Sequence, residues 1–454
     1  MISTLPLPYP ASTFDLFQTL RSLSLPVLLH SGDQDNDANA RFDILVAEPT
    51  TQFRYQEGTL LIVNAGQTQS FKTTNPIMAL AQHIRLNPGA DERREDLPFC
   101  GGFVGYFAYD ALGENYKLSG KYDAALELPA VLGGIYDWAV IVDHLMKVCT
   151  LVSQAGCDSV RRERILSLLR MEHKTSHSDF TITSSFESNF SAEAYYQAFE
   201  QVMSYIQAGD CYQVNLAQCF QASCRGDSFE YFVNMQGLAR APFAAYMEDG
   251  KHSVMSFSPE RFLRVSNKKV TAQPIKGTRP RSGDRRKDAA ALTELCNSSK
   301  DRAENLMIVD LLRNDLGKVC RTGSVQVESL FKAHSFSNVH HTISTINGEL
   351  KQSDDVFALL SACFPGGSIT GTPKFRAMEI INELETMPRS VYCGSIVWVD
   401  HTGDMDSNIA IRTVVRDQNR LFCWGGGGIV ADSEAQLEYQ ESLDKISVFM
   451  GIPA

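Results

Sequence analysis

The stretch RLFCWGGGGIVADSEAQLEYQESLDK, Arg420 to Lys445, runs from an apolar segment through four glycines into an acid-rich amphipathic segment. The run RLFCWGGGGIV predicts a β-strand. Ser433, followed three residues later by Gln436, is typical of a capping box and predicts the start of a helix. On that helix Glu438 and Glu441 stand at i, i+3, so both carboxylates share one face. The stretch therefore predicts one strand that leads into one helix.

The rest of the chain does not repeat this order. The runs PVLLHSG, RFDILVAEP and GTLLIVNAG predict strands in the N-terminal part. The spacing of apolar residues in AEAYYQAFEQVMSYIQAGD predicts a helix that ends at Gly209, and Ser298 with Asp301 predicts the start of a helix that ends near Gly317. Because strands and helices do not alternate regularly and no internal repeat is visible, the expected fold class is α+β, built on antiparallel sheets.

A polar segment divides the sequence in two. HKTSHSDFTITSSFESNFS is rich in serine and threonine and lacks the period of a helix or a strand, which is typical of a linker. We therefore predict an N-terminal, mostly β region over residues 1–185 and a second region over residues 186–454.

Charge and cysteine content restrict the function classes. The 454 residues carry a formal net charge of −11, which disfavours nucleic acid or an anionic membrane as a partner. An anionic small substrate would need local positive charge or a metal ion. The eleven cysteines form no C-x-x-C pair, and neither a signal peptide nor a membrane span is predicted. These features lead us to expect a protein of the reducing cytoplasm.

The stretch QPIKGTRP places Lys276 in a predicted bend between Pro274 and Gly277. Proline fixes one backbone angle and glycine permits a close backbone approach, so the segment is shaped in advance. From the residues alone, Lys276 is either a solvated loop charge or an amine held in place for chemistry. Glu304 and Glu441, on separate predicted helices, are likewise either solvated or able to converge on a hard cation such as Mg²⁺.

Six motifs of the second region resemble one enzyme family when they are taken in order. They are SPERF, QPIKGTRPR, DRAENLMIVDLLRNDLG, PGGSITGTPK, AIRT and GGGIVADSEAQLEYQESLDK. Together they resemble the chorismate-utilising enzymes, which include anthranilate synthase component I, isochorismate and salicylate synthases and the aminodeoxychorismate-forming enzymes. LLHSG and RFDILVAEP are similar to the aminodeoxychorismate-forming branch. The resemblance implies an anthranilate synthase component I-like fold, a large sandwich of antiparallel β-sheets with outer helices.

The resemblance implies that residues 186–454 form a chorismate-binding catalytic domain with a magnesium site. Glu304 and Glu441 fall on the positions of the Mg²⁺ ligands, and Asp301 and Glu438 on positions that support them. The metal would hold the ring carboxylate of chorismate, and Arg412 and Tyr392 would hold its enolpyruvyl carboxylate. The full set of substrate-binding positions implied is Gly277, Thr278, His341, Ser368, Thr370, Tyr392, Arg412, Gly426, Gly428 and Lys445.

The same resemblance implies a reaction. Lys276, where anthranilate synthases typically have alanine, would attack ring carbon 2 of chorismate and expel the 4-hydroxyl; ammonia would then attack carbon 4 and expel the lysine. Glu260 of SPERF matches the general acid that protonates the leaving hydroxyl. Gln213 stands where isochorismate and salicylate synthases have a lysine base, so attack by water is not expected. The expected product is 4-amino-4-deoxychorismate, for p-aminobenzoate and folate biosynthesis.

The source of ammonia and two rival functions follow from the same reading. No cysteine lies in a G-x-C-x-G nucleophile elbow, so we expect a separate glutamine amidotransferase subunit to form a heterodimer with this chain and deliver ammonia.

One rival to the expected function is anthranilate synthase component I, which Lys276 disfavours. The other is a catalytically dead, tryptophan-binding regulatory protein.

The resemblance also implies a possible tryptophan pocket in the N-terminal region. The matching residues are Ser31, Arg41, Phe42, Pro242 and Phe243. LLHSG departs from the LLES pattern common in feedback-inhibited anthranilate synthases, because His30 stands where a glutamate often does. We therefore expect no strong feedback inhibition by tryptophan.

Overall fold

The computed structural model describes residues 2–32, 40–87, 94, 96–113, 115–116, 118, 126–171, 179–335 and 339–451. Its strands are β1 (Ser3–Leu7), β2 (Val27–His30), β3 (Phe42–Val46), β4 (Thr51–Gln56), β5 (Thr59–Asn64), β6 (Gln67–Lys72), β7 (Gly102–Phe107), β8 (Val131–Tyr136), β9 (Trp138–Asp143), β10 (Val148–Ser153), β11 (Thr181–Ile182), β12 (Glu187–Ser188), β13 (Gln213–Arg225), β14 (Phe243–Glu248), β15 (His252–Ser258), β16 (Arg261–Ser266), β17 (Lys269–Ala272), β18 (Ile275–Pro280), β19 (Gln326–Ser335), β20 (Val339–Glu349), β21 (Gly371–Thr372), β22 (Ser395–Asp400), β23 (Met405–Asn408), β24 (Thr413–Asp417) and β25 (Arg420–Ile429). Its helices are α1 (Thr13–Gln18), α2 (Pro76–Ala81), α3 (Ser159–Leu169), α4 (Ala192–Ala208), α5 (Ser228–Ala239), α6 (Arg285–Asn297), α7 (Ser299–Gly317), α8 (Val356–Cys363), α9 (Lys374–Leu384) and α10 (Ala435–Asp444). None of these helices is both long and apolar enough to cross a membrane.

The strands form two large sheets. The first runs in the order β1, β10, β9, β3, β2, β14, β15, β24, β25, β13, β11, with β12 and β21 also on β13. The second runs in the order β18, β20, β17, β16, β23, β22, β7, β8, β4, β5, β6, with β19 also on β20. Every described strand pair is antiparallel. The predicted α+β class is confirmed.

Alternation along the strands builds the two cores. In β4, Thr51, Phe53 and Tyr55 are buried and the residues between them are less so. In β3, Ile44 packs in a core that contains residues of both sheets, whereas Leu45 packs in a second core with residues of α1, α3 and α5. Successive side chains of a strand point to opposite faces. The first sheet is therefore buried on both sides, between the second sheet and a layer of helices.

The polar segment predicted as a linker leads into the first sheet. Residues 173–178 of that prediction lie outside the described residues. The remainder contributes β11 and β12, which both pair with β13. Both sheets contain strands from either side of residue 185. The division at residues 185 and 186 stays a prediction about the sequence, and it does not coincide with a division between the sheets.

Local signals set the ends of two helices as expected. The side chain of Ser298 accepts a hydrogen bond from the backbone N–H of Asp301 at the start of α7. Gly209 ends α4 in the left-handed conformation, with φ +82°. Both signals act over one helical turn, so the surrounding fold does not need to be known to read them.

The start of α10 differs from the predicted capping box. Glu434 is the N-cap residue, and its side chain makes no capping hydrogen bond. Ser433 instead donates from Oγ to Glu438 Oε1 at 2.7 Å and accepts from the backbone N–H of Val430. The Ser433 side chain is used to hold a carboxylate of the helix, which a capping pattern does not foresee.

Candidate active site

A cavity of about 610 Å³ collects the predicted site residues from distant parts of the chain. Its walls come from strands β13, β18, β20 and β25, from the start of α7 and from α10. Every predicted catalytic, metal and substrate residue except Thr370 lines it. Thr370 is fully buried behind the wall, where its Oγ1 donates to the carbonyl of Gly366 at 2.9 Å.

Lys276 lies on an edge strand, and the predicted bend is wrong. β18 pairs with β20, and the pairing register shifts between Lys276 and Thr278, which is a β-bulge. Gly277, at the bulge, has φ +78°, and a Cβ there would lie 2.7 Å from Cδ1 of Leu295. The bulge therefore needs glycine, and it directs Lys276 into the cavity. Lys276 Nζ lies 3.6 Å from Oε2 of Glu304.

Glu260 is a buried carboxyl at the end of the cavity near Ser368. Its exposure is 8%, and burial raises its pKa to about 7, although the charge of Lys276 acts in the opposite direction. Ser368 and the backbone of Ile275 also form hydrogen bonds with it. A carboxyl with this pKa is partly protonated at neutral pH, so it can donate a proton to a leaving group.

Four carboxylates line one wall, and lysines and an arginine lie among them. Glu441 Oε1 lies 2.7 Å from Nζ of Lys445; burial by itself would raise the pKa of Glu441, but the Lys445 ammonium group lowers it below its ordinary value. Burial raises the pKa of Glu438, against the hydrogen bond from Ser433. Asp301 pairs with Arg279 at 3.4 Å. The wall is therefore acidic but already partly neutralised by basic side chains.

The carboxylates have the right chemistry for Mg²⁺. Within the described part of the chain, no three His, Cys, Asp or Glu side chains are gathered closely enough to form a metal site by themselves. Mg²⁺ is usually held by one or two carboxylates, several waters and oxygen atoms of the substrate, so such a cluster is not required. Glu304 and Glu441 line the same cavity and carry hard oxygen donors. These residues fit the ion.

The other end of the cavity suits an anion. Burial lowers the pKa of Arg412, and none of the described carboxylates lies within ion-pair distance of its guanidinium. The ring of Tyr392 stacks on Trp424 with centroids 6.1 Å apart. His341 Nδ1 lies 2.9 Å from Oγ1 of Thr278, and burial lowers the pKa of His341 to about 4, so the imidazole is neutral. A carboxylate placed against Arg412 would supply the missing partner.

The glycine run of β25 allows a close approach rather than forming a turn. Gly425, Gly426 and Gly428 line the cavity within a regular strand. A Cβ at Gly425 would lie 2.1 Å from the carbonyl oxygen of Ser442 in α10, and one at Gly428 would lie 2.7 Å from Nε2 of Gln213. Glycine therefore lets α10 pack directly on the strand, which brings the carboxylates of the helix to the cavity.

Sequence reasoning missed several residues of the cavity. Asn215, Lys300 and Trp424 also line it. Asn215 is separated by one residue from Gln213 on β13, and Trp424 precedes the glycine run, so strand alternation was the signal that could have indicated them. Gln213 itself does not line the cavity; its amide is buried against Gly428.

A second cavity, of about 570 Å³, contains all five residues of the predicted tryptophan pocket. Two of its arginines have acidic partners: Arg41 bonds Asp143, and Arg261 bonds Asp406 while its guanidinium lies over the ring of Phe243. The remaining pocket residues are Ser31, Phe42 and Pro242. Arginine, aromatic rings and a hydroxyl together suit an amphipathic aromatic ligand with a carboxylate.

Comparisons with known proteins agree with this geometry. A family model described as chorismate binding enzyme matches residues 27–451. The chain is 45% identical over 435 residues to aminodeoxychorismate synthase component 1 of Klebsiella aerogenes, covering 95% of this chain and 94% of the relative. It is 43% identical over 435 residues to the protein of that name from Escherichia coli (strain K12), with 95% and 94% covered. The crystal structure of anthranilate synthase component I from Streptococcus pneumoniae TIGR4 matches with a TM-score of 0.79 at 29% identity, over 92% of this chain and 95% of that chain. The expected anthranilate synthase component I-like fold is confirmed.

Proposed function

The chain belongs to the chorismate binding enzymes and acts on chorismate, and we propose that it joins ammonia to carbon 4 of that substrate, giving 4-amino-4-deoxychorismate for p-aminobenzoate and folate biosynthesis. The observation that carries the proposal is the presence of Lys276 and Glu260 in one cavity. An amine beside a carboxyl whose pKa lies near 7 provides a nucleophile and a general acid.

The first displacement forms a covalent bond to the enzyme. Lys276, in its neutral form, attacks ring carbon 2 with the Nζ lone pair, and the two ring double bonds shift. The bond from carbon 4 to its hydroxyl breaks, and Glu260 gives its proton to the departing oxygen, so that water leaves. The attached Lys276 nitrogen then passes a proton to the Glu260 carboxylate, so that both groups are uncharged again. Hydroxide is a poor leaving group, and for this reason the reaction needs a protonated carboxyl.

The second displacement releases the lysine. Ammonia attacks carbon 4 with its lone pair, the double bonds shift back, and the bond between carbon 2 and Lys276 breaks. The lysine nitrogen regains a proton from the new ammonium group. Two displacements place nitrogen on carbon 4, which lost the hydroxyl. One direct attack by ammonia would place nitrogen on carbon 2, as in the route to anthranilate.

The two ends of the cavity orient the substrate. Arg412 would bind the enolpyruvyl carboxylate, beside Tyr392. Glu304 and Glu441 would hold Mg²⁺, with Asp301 and Glu438 beside them; when bound, the ion supplies positive charge for the ring carboxylate. This local charge answers the problem that a net charge of −11 poses for a dicarboxylate substrate.

We further propose that ammonia comes from a separate glutamine amidotransferase. Two relatives at 45% and 43% identity are named component 1, which implies a second component. The reducing cytoplasm is the proposed compartment, because none of the eleven cysteines is in a disulfide bond and only Cys296 is exposed. Glutamine-dependent activity that appears only on adding such a subunit is the expected result; use of glutamine by this chain alone would contradict it.

The second cavity is the proposed site for tryptophan. Its size, its aromatic rings Phe42 and Phe243, and Arg41 at its edge support an indole ligand with a carboxylate. Calorimetry with tryptophan, and with Ser31→Ala and Phe243→Ala variants as comparisons, tests this site. Unchanged binding in both variants would place the ligand elsewhere.

One experiment tests the proposed reaction. The purified chain is incubated with chorismate, magnesium and ammonium at mildly alkaline pH, and the product is identified by mass and by co-elution with standards. 4-Amino-4-deoxychorismate is expected. Anthranilate would overturn the proposal in favour of the tryptophan pathway, and the absence of turnover would support the reading as a catalytically dead protein.

A further inference from the structure

Asn215 places an unsatisfied polar atom in the wall of the active-site cavity. It lies on β13, opposite Gly428 of β25, and lines the cavity. Its exposure is 7%, and Oδ1 has no hydrogen-bond partner among the described residues. Buried side-chain oxygens in folded proteins are nearly always hydrogen-bonded. An unpartnered acceptor on a buried residue that lines a substrate cavity therefore points to a ligand that donates a hydrogen bond.

The backbone of Asn215 is held firmly. Its N–H donates to the carbonyl of Thr370 at 2.8 Å, and its carbonyl accepts from Nη2 of Arg389 at 2.8 Å. Arg389 is itself buried, pairs with Glu385 at 2.6 Å and donates to the carbonyl of Ile369. These bonds fix the position of Asn215 without using its side-chain oxygen, so the side chain is free to serve the cavity.

The position of Asn215 relates it to the acid end of the cavity. Arg389 ties the Asn215 backbone to that of Ile369, and Ile369 follows Ser368, which is hydrogen-bonded to Glu260. On the paired strand β25, a Cβ at Gly428 would point toward Gln213, whereas a Cβ at Gly427 would point toward Glu438. Asn215 shares the face of Gln213, because alternate residues of a strand point the same way. Its side chain thus lies on the face of the sheet opposite to the one on which Gly427 approaches Glu438.

We propose that Asn215 Oδ1 accepts a hydrogen bond from ammonia and holds it for attack on carbon 4. This inference rests on the proposed function and adds a binding residue for its second substrate. Ammonia has one lone pair, which must face carbon 4, and three N–H groups, which need acceptors. The new bond forms from the ammonia lone pair, the bond from carbon 2 to Lys276 breaks, and the lysine nitrogen takes the surplus proton. Asn215 gains and loses no proton.

A neutral amide suits this role better than a carboxylate. A negative charge beside ammonia would favour the ammonium ion, which has no lone pair and cannot attack. An amide oxygen accepts from ammonia without that charge effect.

Separate measurement of the two displacements tests the proposal. Chorismate is added to the enzyme without ammonia, and formation of the Lys276 adduct is followed by intact mass. Ammonium chloride is then added over a range of concentrations, and the adduct decay is followed. The variants are Asn215→Leu, which removes the acceptor, and Asn215→Asp, which keeps the shape and adds a charge. The matched control is Asn189→Leu, since the Asn189 side chain accepts a hydrogen bond from the same strand at Cys219 but does not line the cavity.

The expected result is a change in the step that uses ammonia and no change in the step that uses chorismate. In both Asn215 variants the adduct forms within twofold of the wild-type rate, whereas the ammonia concentration for half-maximal decay rises at least tenfold in Asn215→Leu, and decay is also slow in Asn215→Asp. The control retains both steps. An unchanged ammonia dependence in Asn215→Leu and Asn215→Asp overturns the proposal. So does slowed adduct formation with normal decay, which would assign Asn215 to chorismate.

Failure of the proposed function has a different signature. If the wild type forms no adduct, the lysine step is wrong, and the steady-state KM for ammonia is compared with the KM for chorismate instead. A raised KM for ammonia alone in both Asn215 variants still supports the binding role. A rise in the KM for chorismate alone contradicts it.

Discussion

Two cavities of nearly equal size, about 610 and 570 Å³, differ in how their charged groups are paired. They meet at the start of β16, where Glu260 lines the first cavity and its neighbour Arg261 lines the second. In the first, Arg412 has no acidic partner among the described residues, and burial raises the pKa of Glu260 to about 7. In the second, Arg261 bonds Asp406 through two nitrogens, at 2.9 and 3.0 Å.

The difference separates a site built for reaction from a site built for binding. Unpaired charges and a carboxyl with a raised pKa cost stability, and they persist where a reactant supplies the missing partner. Paired charges satisfy one another and leave little field for a bound molecule. The first cavity is therefore suited to stabilise charge that changes during a reaction, and the second to hold a ligand that does not react.

The largest effect is expected from the amine. Lys276→Ala removes the proposed nucleophile, and formation of 4-amino-4-deoxychorismate should fall at least about 10³-fold because the covalent route is lost. No adduct should be detectable by intact mass when the variant is incubated with chorismate. Lys269→Ala is the control, since Lys269 is exposed on β17 of the same sheet. Full activity in Lys276→Ala would remove the distinction between the two cavities.

A smaller loss is expected from the carboxyl. Glu260→Gln keeps the shape but cannot donate a proton, and kcat should fall about 10²-fold. In the wild type, the rate at a constant concentration of free NH₃ should fall as the pH rises above about 7, because Glu260 then loses its proton. The variant should lack this alkaline limb. The same limb in the variant would assign the titration to another group.

Burial of Glu260 also has a consequence for stability. An unfolded glutamate titrates near 4.5 and folded Glu260 near 7, so the folded state binds the proton more tightly. Stability should therefore decline as the pH rises from about 4.5 to 7, by about 3 kcal/mol in all, and stay constant above that. Between pH 5 and pH 8, urea unfolding should show a larger loss in the wild type than in Glu260→Gln, because other buried carboxyls with a raised pKa, such as Asp110, contribute equally to both proteins. An equal loss in both proteins would contradict the raised pKa.

Two arginines should respond in opposite ways. Arg412→Met removes a cation that has no described partner, so stability should be unchanged or higher while the KM for chorismate rises about 10- to 100-fold. Arg261→Met leaves Asp406 without its partner and should lower the free energy of unfolding by about 2–3 kcal/mol with little change in KM. Steady-state kinetics and urea unfolding of both variants measure the two effects. The opposite assignment would mean that the second cavity binds the substrate.

The sequence predicted the parts of the fold that depend on local chemistry. Ser298 caps α7 and Gly209 ends α4 through contacts within one turn. The position of Lys276 was predicted only as a bend, because β18 is a strand by virtue of pairing with β20, whose residues come much later in the chain. Ser433 was misassigned for a related reason, since its hydroxyl is drawn to Glu438 rather than to the helix backbone.

The family motifs indicated most of the candidate site but not which of its polar atoms lack a hydrogen-bond partner. Motif positions led to Glu260, Lys276 and Arg412, which the structure brings to one cavity. They did not indicate Asn215, because an unsatisfied oxygen becomes visible only when all neighbours of a side chain are known. Thr370 shows the reverse case: its position was implied by a motif, but its hydroxyl is satisfied by Gly366 behind the wall.

The smallest effect on turnover is expected from tryptophan in the second cavity. Ligand that binds only the folded state should raise the apparent stability, by about 2.7 kcal/mol at a concentration 100 times Kd. Turnover should change less than twofold. Burial lowers the pKa of His30, so a neutral imidazole stands at the position where LLHSG departs from the pattern that predicts feedback inhibition. Yet Arg261 also donates to Gln273 Oε1 at 3.1 Å, three residues before Lys276, so a physical link between the cavities exists.

Thermal unfolding and initial rates at increasing tryptophan, with leucine as the control amino acid, distinguish simple binding from inhibition. Inhibition of more than tenfold by tryptophan but not by leucine would make the second cavity a regulatory site.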